Sequence, residues 1–145
     1  MIVAIDGSRG SLATVDSVKS RNWPEQTEVQ LIGVIDTRIA TVAISDLPEV
    51  ARWAQTNHQD EGAWLHEIVK AQCEKLRNVG LKASMTIEEG DPKQILIEHA
   101  YQWKADCIFV GARGLTAIDR FFLGSVSTAV SARAHCSVEV IHQHN

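Results

Sequence analysis

The sequence predicts an α/β fold in which helices cover both faces of a parallel β-sheet. Apolar runs of strand length alternate with stretches of helical periodicity along the whole 145-residue chain. Such alternation is typical of βαβ units, whose strands run parallel. The length suits one domain, and the chain contains no internal repeat, low-complexity tract or Gly/Ser-rich linker. We therefore expect residues 1–145 to form a single domain around a doubly wound sheet.

The first two strands are expected near the beginning of the chain. Met1–Ile5 is a short run rich in β-branched residues, and Val29–Ile35 is an apolar run typical of a strand buried on both faces. Between the two runs, Leu12, Val15 and Val18 recur at helical spacing and predict a helix.

A second helix is predicted from about Ala63 to Val79. Its apolar face consists of Leu65, Ile68, Val69, Cys73 and Leu76. Gly80 follows at the position where a left-handed residue commonly ends a helix. Ala83–Ile87 is predicted as the third strand.

Asp91-Pro92 then predicts the start of a third helix, with an aspartate N-cap and proline at the first helical position. The apolar side of this helix carries Ile95, Leu96, His99, Ala100 and Trp103. A fourth strand at Cys107–Val110, a helix at Val126–Arg133 and a fifth strand at Val138–Ile141 complete the prediction.

The stretch from about Asp36 to Asp60 is the exception to this regular alternation. It is long for a connection between a strand and a helix, and it contains Pro48, Trp53 and the apolar patch Val42–Ile44. Long connections usually carry a function or a short helix of their own. A lid, a partner surface and a packed extra helix all remain open here.

Composition excludes several classes of protein. The net charge of −4 argues against a nucleic-acid binder, because phosphate affinity depends on clustered Lys and Arg. No apolar run reaches the length of a membrane helix, and no signal peptide is visible at Met1. Cys73, Cys107 and Cys136 match no zinc pattern and are expected to be reduced, mostly buried thiols. We therefore expect a cytoplasmic protein without a resident metal ion.

Familiar enzyme motifs are also missing from the sequence. There is no Gly-x-x-x-x-Gly-Lys-Ser/Thr P-loop, no Gly-x-Gly-x-x-Gly fingerprint and no Gly-x-Ser-x-Gly elbow. No catalytic residue is predicted. Any hydrolysis of a phosphate compound is expected to be slow or to depend on a partner, because an oriented water and charge stabilisation would both be required.

Candidate binding residues follow three of the predicted strands. Asp6–Ser8 follows the first strand, Val34–Asp36 ends the second, and Gly111–Gly114 follows the fourth. Open parallel sheets bind ligands at the carboxyl ends of their strands, where the strand order reverses. These residues are therefore expected at one binding edge.

The most informative motif is Gly-x2-Gly-x9-Gly-Ser, formed by Gly111, Gly114, Gly124 and Ser125. Glycines after a strand let a phosphate approach the backbone amides, since no Cβ intervenes. The second Gly-Ser opens a helix whose first amides are unpaired and whose dipole favours an anion. Residues 115–123 are expected to form a loop that closes over the ligand.

On these residues the chain resembles the universal stress protein family, in its ATP-binding branch. The resemblance spans nearly the whole chain, including Val3–Ser8, Gly90–Pro92, Ala105–Gly111 and Ser137–Ile141. It implies a five-stranded parallel sheet of order 3-2-1-4-5, of the adenine nucleotide alpha hydrolase-like type. It also implies a homodimer that pairs through the last strand, about Ser137 to Ile141.

The resemblance implies a role for each site residue. The Asp6 carboxylate, with Gly7 beside it, would contact the nucleoside end of ATP, and the Val34 backbone would contact the adenine edge. Gly111 and Gly114 would line the ribose and phosphates, Gly124 with Ser125 would hold the phosphate chain, and Mg²⁺ would accompany the triphosphate. By the argument from the helix terminus, the amides of Val126 and Ser127 are further candidate donors. Arg113 is compatible with a phosphate contact and equally with a solvated loop position.

Structural alternatives stay open for several of these residues. Asp6 could cap the first helix, the motif glycines could be turn formers, and Trp53, Trp64 and Trp103 could be core or interface anchors. The chain also departs from many family members in having His135–Ser137, without proline, before the final strand.

The leading functional hypothesis is an ATP-binding universal stress protein whose nucleotide occupancy regulates an unidentified protein partner during stress. Two alternatives remain on the same scaffold. One is a nucleotide-free, homodimeric interaction module. The other is a receptor for AMP or a cyclic nucleotide, which would bind monophosphates more tightly than ATP.

Overall fold

The computed structural model describes residues 1–37, 48–114 and 123–142, and within 48–59 it describes the backbone alone. The described residues form five strands and four helices. In chain order they are β1 (Ile2–Ile5), α1 (Arg9–Lys19), β2 (Glu28–Ile35), α2 (Pro48–Arg77), β3 (Lys82–Glu89), α3 (Pro92–Gln102), β4 (Cys107–Gly111), α4 (Ser125–Arg133) and β5 (Ser137–Ile141).

The strands form one parallel sheet of order β3-β2-β1-β4-β5, which confirms the predicted architecture. β1 lies at the centre, and its Ile2 and Val3 are fully buried on opposite faces. Burial of each such side chain contributes about 1.5–3 kcal/mol. The uninterrupted apolar sequence of β1 is thus explained by helices covering both sides of the strand.

Each face of the sheet has its own hydrophobic core. On one face, α1 and α2 pack over the sheet through buried residues including Val15, Leu65 and Val69. On the other face, α3 and α4 contribute Leu96 and Val130. The helices therefore lie on both faces, as the alternating pattern predicts.

The register places the ends of the strands at different heights. Ile5, the last residue of β1, is in register with Gly33, so β2 continues for two further residues, Val34 and Ile35. This overhang gives the carboxyl edge of the sheet a step beside β1.

α2 begins much earlier than predicted. It runs from Pro48 to Arg77, whereas the apolar periodicity predicts a start near Ala63. Proline suits the first turn of a helix, and residues 49–61 carry mostly polar side chains without a regular apolar stripe, so periodicity alone misses them. A separate extra helix is therefore wrong for this part of the connection. The Val42–Ile44 patch and the Trp53 side chain lie outside the described residues.

The predicted helix boundaries at α3 and after α2 are confirmed. The Asp91 carboxylate accepts a hydrogen bond from the Lys93 amide at 3.0 Å, with Pro92 at the first helical position. Gly80 has φ +88°, and the Leu81 amide returns to the Leu76 carbonyl at 3.2 Å.

All three cysteines are free thiols. Cys73 is buried, while Cys107 and Cys136 are half-buried, and burial raises the pKa of each thiol above its ordinary value. A thiol with a raised pKa stays protonated near neutral pH and is a poor nucleophile. Among the helices of the described ranges, none has both the length and the apolar character that a membrane span requires.

Candidate functional site

The sheet reverses its winding direction between β1 and β4. These strands are neighbours, yet α1 packs on one face and α4 on the other. Their connections therefore diverge and leave a crevice at the carboxyl ends of the strands, where sheets of this type bind ligands. Of the predicted residues, Asp6 follows β1, Gly111 is the last residue of β4, and Gly114 and Gly124 lie in the connection between β4 and α4.

A tight turn leads from β1 into α1. Gly7 has φ +78°, a conformation that glycine adopts readily, and Asp6 Oδ1 accepts a hydrogen bond from the Ser8 amide at 2.9 Å. The Ser8 hydroxyl caps α1 by accepting the Ser11 amide at 3.2 Å. The alternative in which Asp6 caps α1 is therefore wrong, since Asp6 fixes the turn and Ser8 forms the cap.

The loop that follows β4 packs directly against the beginning of α1. A Cβ on Gly111 would lie 2.7 Å from the carbonyl carbon of Gly10, and a Cβ on Gly10 would lie 2.5 Å from the Arg113 carbonyl oxygen. The Ser8 hydroxyl is 3.5 Å from the same oxygen. Glycine at both positions thus allows the two loops to approach each other.

Gly114 brings this loop against the Asp6 carboxylate. A Cβ at residue 114 would lie 2.6 Å from Asp6 Oδ2. The structure therefore brings together the predicted acid after β1 and the second glycine of the motif, although 108 positions separate them in the sequence.

α4 begins at the crevice with a glycine N-cap. The Gly124 amide donates to the Ala112 carbonyl at 2.7 Å, and the Ser127 hydroxyl donates to the same carbonyl at 3.1 Å and to Gly124 at 2.9 Å. These bonds connect the start of α4 to the end of β4. Because Gly124 provides no side-chain cap, the first-turn amides of residues 125–127 are not capped by that residue.

Because of these hydrogen bonds, neither the Gly124 amide nor the Ser127 hydroxyl is available to donate to a ligand. The Ser127 side chain is 2% exposed and its hydroxyl proton is directed into the protein. The Gly124 amide is likewise engaged. What remains at this helix end is the positive end of the dipole and the amides of Ser125, Val126 and Ser127, an arrangement suited to an anion.

Val34 and Arg113 occupy the two sides of the crevice. Val34 lies in the two-residue overhang of β2 beyond β1 and is in register with Glu88 of β3. Arg113 is half-buried, and its carbonyl oxygen is the group that Gly10 and Ser8 approach. Residues 115–122, expected to close over a ligand, lie outside the described residues.

Sequence reasoning missed three participants in this site. Gly10 and Ala112 form its backbone contacts, and only a glycine in the first turn of α1 hinted at such close packing. Trp64, expected to be a core or interface anchor, is 46% exposed and rests on Gly7. Trp103, by contrast, is half-buried against the second core.

A second concave region lies at the opposite edge of the sheet, among the amino ends of the strands. It encloses about 540 Å³ and is lined by residues that include Trp23, Glu28, Trp103 and Asp106. None of the predicted motif residues borders it. Within the described ranges, no group of three or more His, Cys, Asp or Glu residues is arranged to hold a metal ion.

The fold and the crevice define a doubly wound α/β protein with an anion-compatible helix end at its switch point. The model of the universal stress protein family matches residues 1–142. The chain therefore belongs to the universal stress protein family, as the resemblance predicts.

Individual relatives agree with this assignment. The universal stress protein YxiE of Bacillus subtilis is 29% identical over 148 residues, covering 97% of each chain. The solved structure of hypothetical protein MJ0577 has a TM-score of 0.83 at 23% identity, covering 99% of this chain and 95% of the other. A family member from Arabidopsis thaliana, solved with AMP bound, has a TM-score of 0.64 at 20% identity, with coverage of 99% and 90%. At these identities the structural likenesses establish the fold.

Proposed function

We propose that this protein binds ATP in the crevice between β1 and β4, and that nucleotide occupancy regulates its interaction with a protein partner during stress. The observation that carries the proposal is the beginning of α4. α4 begins without a side-chain cap at Gly124, and the Gly124 amide holds the start of the helix beside the end of β4, so the positive end of the helix dipole lies at the crevice. The AMP-bound Arabidopsis relative supports nucleotide binding on this scaffold.

The phosphate end of the ligand would lie at α4. The amides of Ser125, Val126 and Ser127 would donate to phosphate oxygens, and the helix dipole would favour the negative charge. Gly124 would contribute by holding the start of α4 beside the end of β4, because its amide is bonded to the Ala112 carbonyl. Arg113 would add positive charge beside the phosphates.

The nucleoside end would lie toward β2. The Asp6 carboxylate would accept hydrogen bonds from ribose hydroxyls, beside the turn made by Gly7. The Val34 backbone, in the overhang of β2, would contact the adenine edge. Gly111 and Gly114 would line the ribose and the phosphates between these two ends.

Mg²⁺ would accompany the triphosphate and neutralise part of its charge. Its ligands would be mainly phosphate oxygens and water, as is common for this ion. The crevice residues supply binding groups and not an evident general base, so hydrolysis would be slow without a partner. For nucleotide occupancy to regulate a partner, the protein would adopt two conformations that show the partner different surfaces, and ATP would bind these conformations with different affinities.

We also propose a homodimer through β5. The Ser137 amide donates to Asp106, and the Ile141 carbonyl accepts from Ala112, so alternate residues of β5 bond toward β4. The amides of Val138 and Val140 consequently point away from β4. An edge strand with outward amides is suited to pairing with a second copy.

Gly114→Val tests the ATP site. Its new side chain would displace the Asp6 carboxylate and fill the approach to the loop, so ATP affinity is expected to fall at least tenfold by calorimetry with Mg²⁺. Gly80→Asn is the matched control, because asparagine tolerates its left-handed φ and no atom lies within 4 Å of a Cβ there. Unchanged ATP affinity in Gly114→Val would overturn the assignment of this loop.

The same titration, extended to ADP and AMP on nucleotide-stripped protein, separates the remaining hypotheses. Tighter binding of AMP than of ATP would favour a monophosphate receptor, as the AMP-bound relative suggests. No heat with any of the three nucleotides, together with a stable dimer, would favour the nucleotide-free interaction module.

A further inference from the structure

Trp64 lies beside the candidate site although it is not part of the glycine motif. Its side chain is 46% exposed, whereas the adjacent Leu65 is only 3% exposed. The turn of α2 that carries it lies over the carboxyl edge of the sheet, since a Cβ on Gly62 would lie 3.2 Å from Cδ1 of Ile35, the last residue of β2. Trp64 therefore lies near the same edge as the β2 overhang.

The indole is anchored at one edge on the turn after β1. A Cβ on Gly7 would lie 2.4 Å from Trp64 Cη2, 3.0 Å from Cζ3 and 3.1 Å from Ile68 Cδ1. The benzene ring thus rests directly on the backbone of Gly7, the residue next to Asp6. This contact fixes one edge of a large aromatic ring and leaves much of the ring exposed.

We propose that the exposed indole of Trp64 forms a wall of the base-binding end of the site and packs against a planar heteroaromatic base. This inference rests on the proposed nucleotide function and extends it to a residue of α2. Aromatic side chains provide large contact areas for bases, and such stacking is tolerant of base identity. Purines, with the larger ring area, are the expected occupants.

The location distinguishes a base contact from a phosphate contact. Trp64 adjoins Gly7 and the β2 side of the crevice, whereas the anion-compatible amides belong to α4, which follows β4. An uncharged ring suits an uncharged base, and the positive helix end suits the phosphates. Trp64 is therefore expected to contribute equally to any ligand that carries the same base.

The test compares Trp64→Leu and Trp64→Phe with the unmodified protein in titrations with ATP and with AMP. Trp64→Leu is expected to weaken both ligands by the same factor, about tenfold, because both lose the same base contact. Trp64→Phe, which keeps an aromatic ring, is expected to lose less. Trp103→Leu is the matched control, since Trp103 caps α3 and borders the cavity at the opposite edge of the sheet.

Fluorescence provides a second measurement that does not depend on truncating the residue. With Trp23, Trp53 and Trp103 replaced by phenylalanine, Trp64 is the remaining indole, and its emission is expected to change on ATP addition. This variant decides the question if Trp64→Leu fails to fold.

The outcomes separate this inference from the proposed function. If the unmodified protein binds no nucleotide, both are wrong. If it binds ATP while both Trp64 variants bind ATP unchanged, or while Trp64 emission is insensitive to ATP, the role of Trp64 is wrong and the proposed function stands. A loss for ATP that is absent for AMP would also overturn the base contact.

Discussion

The glycines of the site serve two different physical purposes. Gly7 has a positive φ and meets the Trp64 ring, so it is required by backbone conformation and by space. Gly111 and Gly114 do not have positive φ values, and they are required because other atoms lie within 3 Å of a would-be Cβ. Glycine at these two positions is thus explained by close packing against neighbouring residues and not by a left-handed backbone conformation.

An ion pair at the other side of the molecule makes stability depend on pH. Arg21, after α1, donates from Nη1 to Oε2 of Glu139 at 2.8 Å and lies 5.5 Å from the Phe109 ring centroid. The hydrogen bond from Arg21 lowers the pKa of the Glu139 carboxyl below its ordinary value. Glu139 consequently stabilises the folded state above the unfolded-state pKa, near 4.5, and this contribution is lost as pH falls through the lower folded-state pKa.

Glu139→Gln measures this contribution. At neutral pH the free energy of unfolding of the variant is expected to be lower by roughly 0.2–1 kcal/mol, the range typical of exposed ion pairs, since both side chains are more than one third exposed. The variant should therefore also unfold at a lower temperature. The difference should shrink as the pH falls below the ordinary pKa of a glutamate, 4.5, and through the lower pKa of Glu139 in the folded protein. Glu98→Gln is the control, because Glu98 is an exposed acid that accepts a hydrogen bond from the neutral Gln94. A difference that persisted at low pH would contradict the electrostatic explanation.

Residue-scale contacts were the part of the site least accessible to sequence reasoning. Asp6 and Gly114 are individually visible after predicted strands, but their 2.6 Å approach depends on the way β1 and β4 pair. For Ser127 the sequence predicts a donor amide at the helix end, but it does not reveal that the hydroxyl of this residue bonds to Ala112. The sequence around Trp64 does not show whether its side chain lies in the core or at the edge of the crevice, because tertiary packing decides which of the two it does.

At the scale of elements, hydrophobic periodicity predicts the sheet and most helices because burial imposes it. β1 is apolar at every position because both of its faces are covered. The start of α3 is predictable because Asp91 is its N-cap and Pro92 its first helical residue. The failure at α2 has the complementary cause. Residues 48–62 are helical without a regular apolar stripe, so hydrophobic periodicity does not predict a helix there.

The beginning of α4 permits a test in which stability and binding change in opposite directions. An aspartate in place of Ser125 would lie in the first turn, where a negative charge stabilises a helix by about 0.3–1 kcal/mol. The same charge would repel phosphates at the neighbouring amides. We expect Ser125→Asp to raise the unfolding temperature slightly and to weaken ATP binding more than tenfold.

The control for this test is Ser131→Asp, which adds the same charge to an exposed position near the end of α4. It should leave ATP affinity unchanged and lower stability slightly, because a negative charge is unfavourable near a helix C-terminus. Equal ATP affinity in the two variants would place the phosphates away from α4. If Ser125→Asp loses more affinity for ATP than for AMP, the helix end interacts with phosphates beyond the one that AMP carries.

At the scale of the whole molecule, the hydrogen-bond pattern of β5 identifies how a second copy would pair. Within the described residues β5 pairs with β4 alone, and the Val138 and Val140 amides point to the other side. The family resemblance implies pairing through this strand but leaves open which residue would donate across the interface. Because Ser137 and Ile141 bond toward β4, the residues whose amides could donate to a second copy are Val138 and Val140.

Val140→Pro removes one outward amide without removing a bond to β4, so it is expected to convert a β5-mediated dimer into monomers in light scattering. Val140→Thr is the control, because it keeps the amide and the β-branched shape and should remain dimeric. Circular dichroism verifies that the monomers retain the fold. Folded Val140→Pro protein that remained dimeric would place the interface elsewhere, whereas a folded monomer would support pairing through this edge.

The folded monomer also permits a test of the crevice by itself. The crevice is built within one chain from β1, β2, β4 and α4, so we expect a titration of the monomer with ATP to show binding without the second copy.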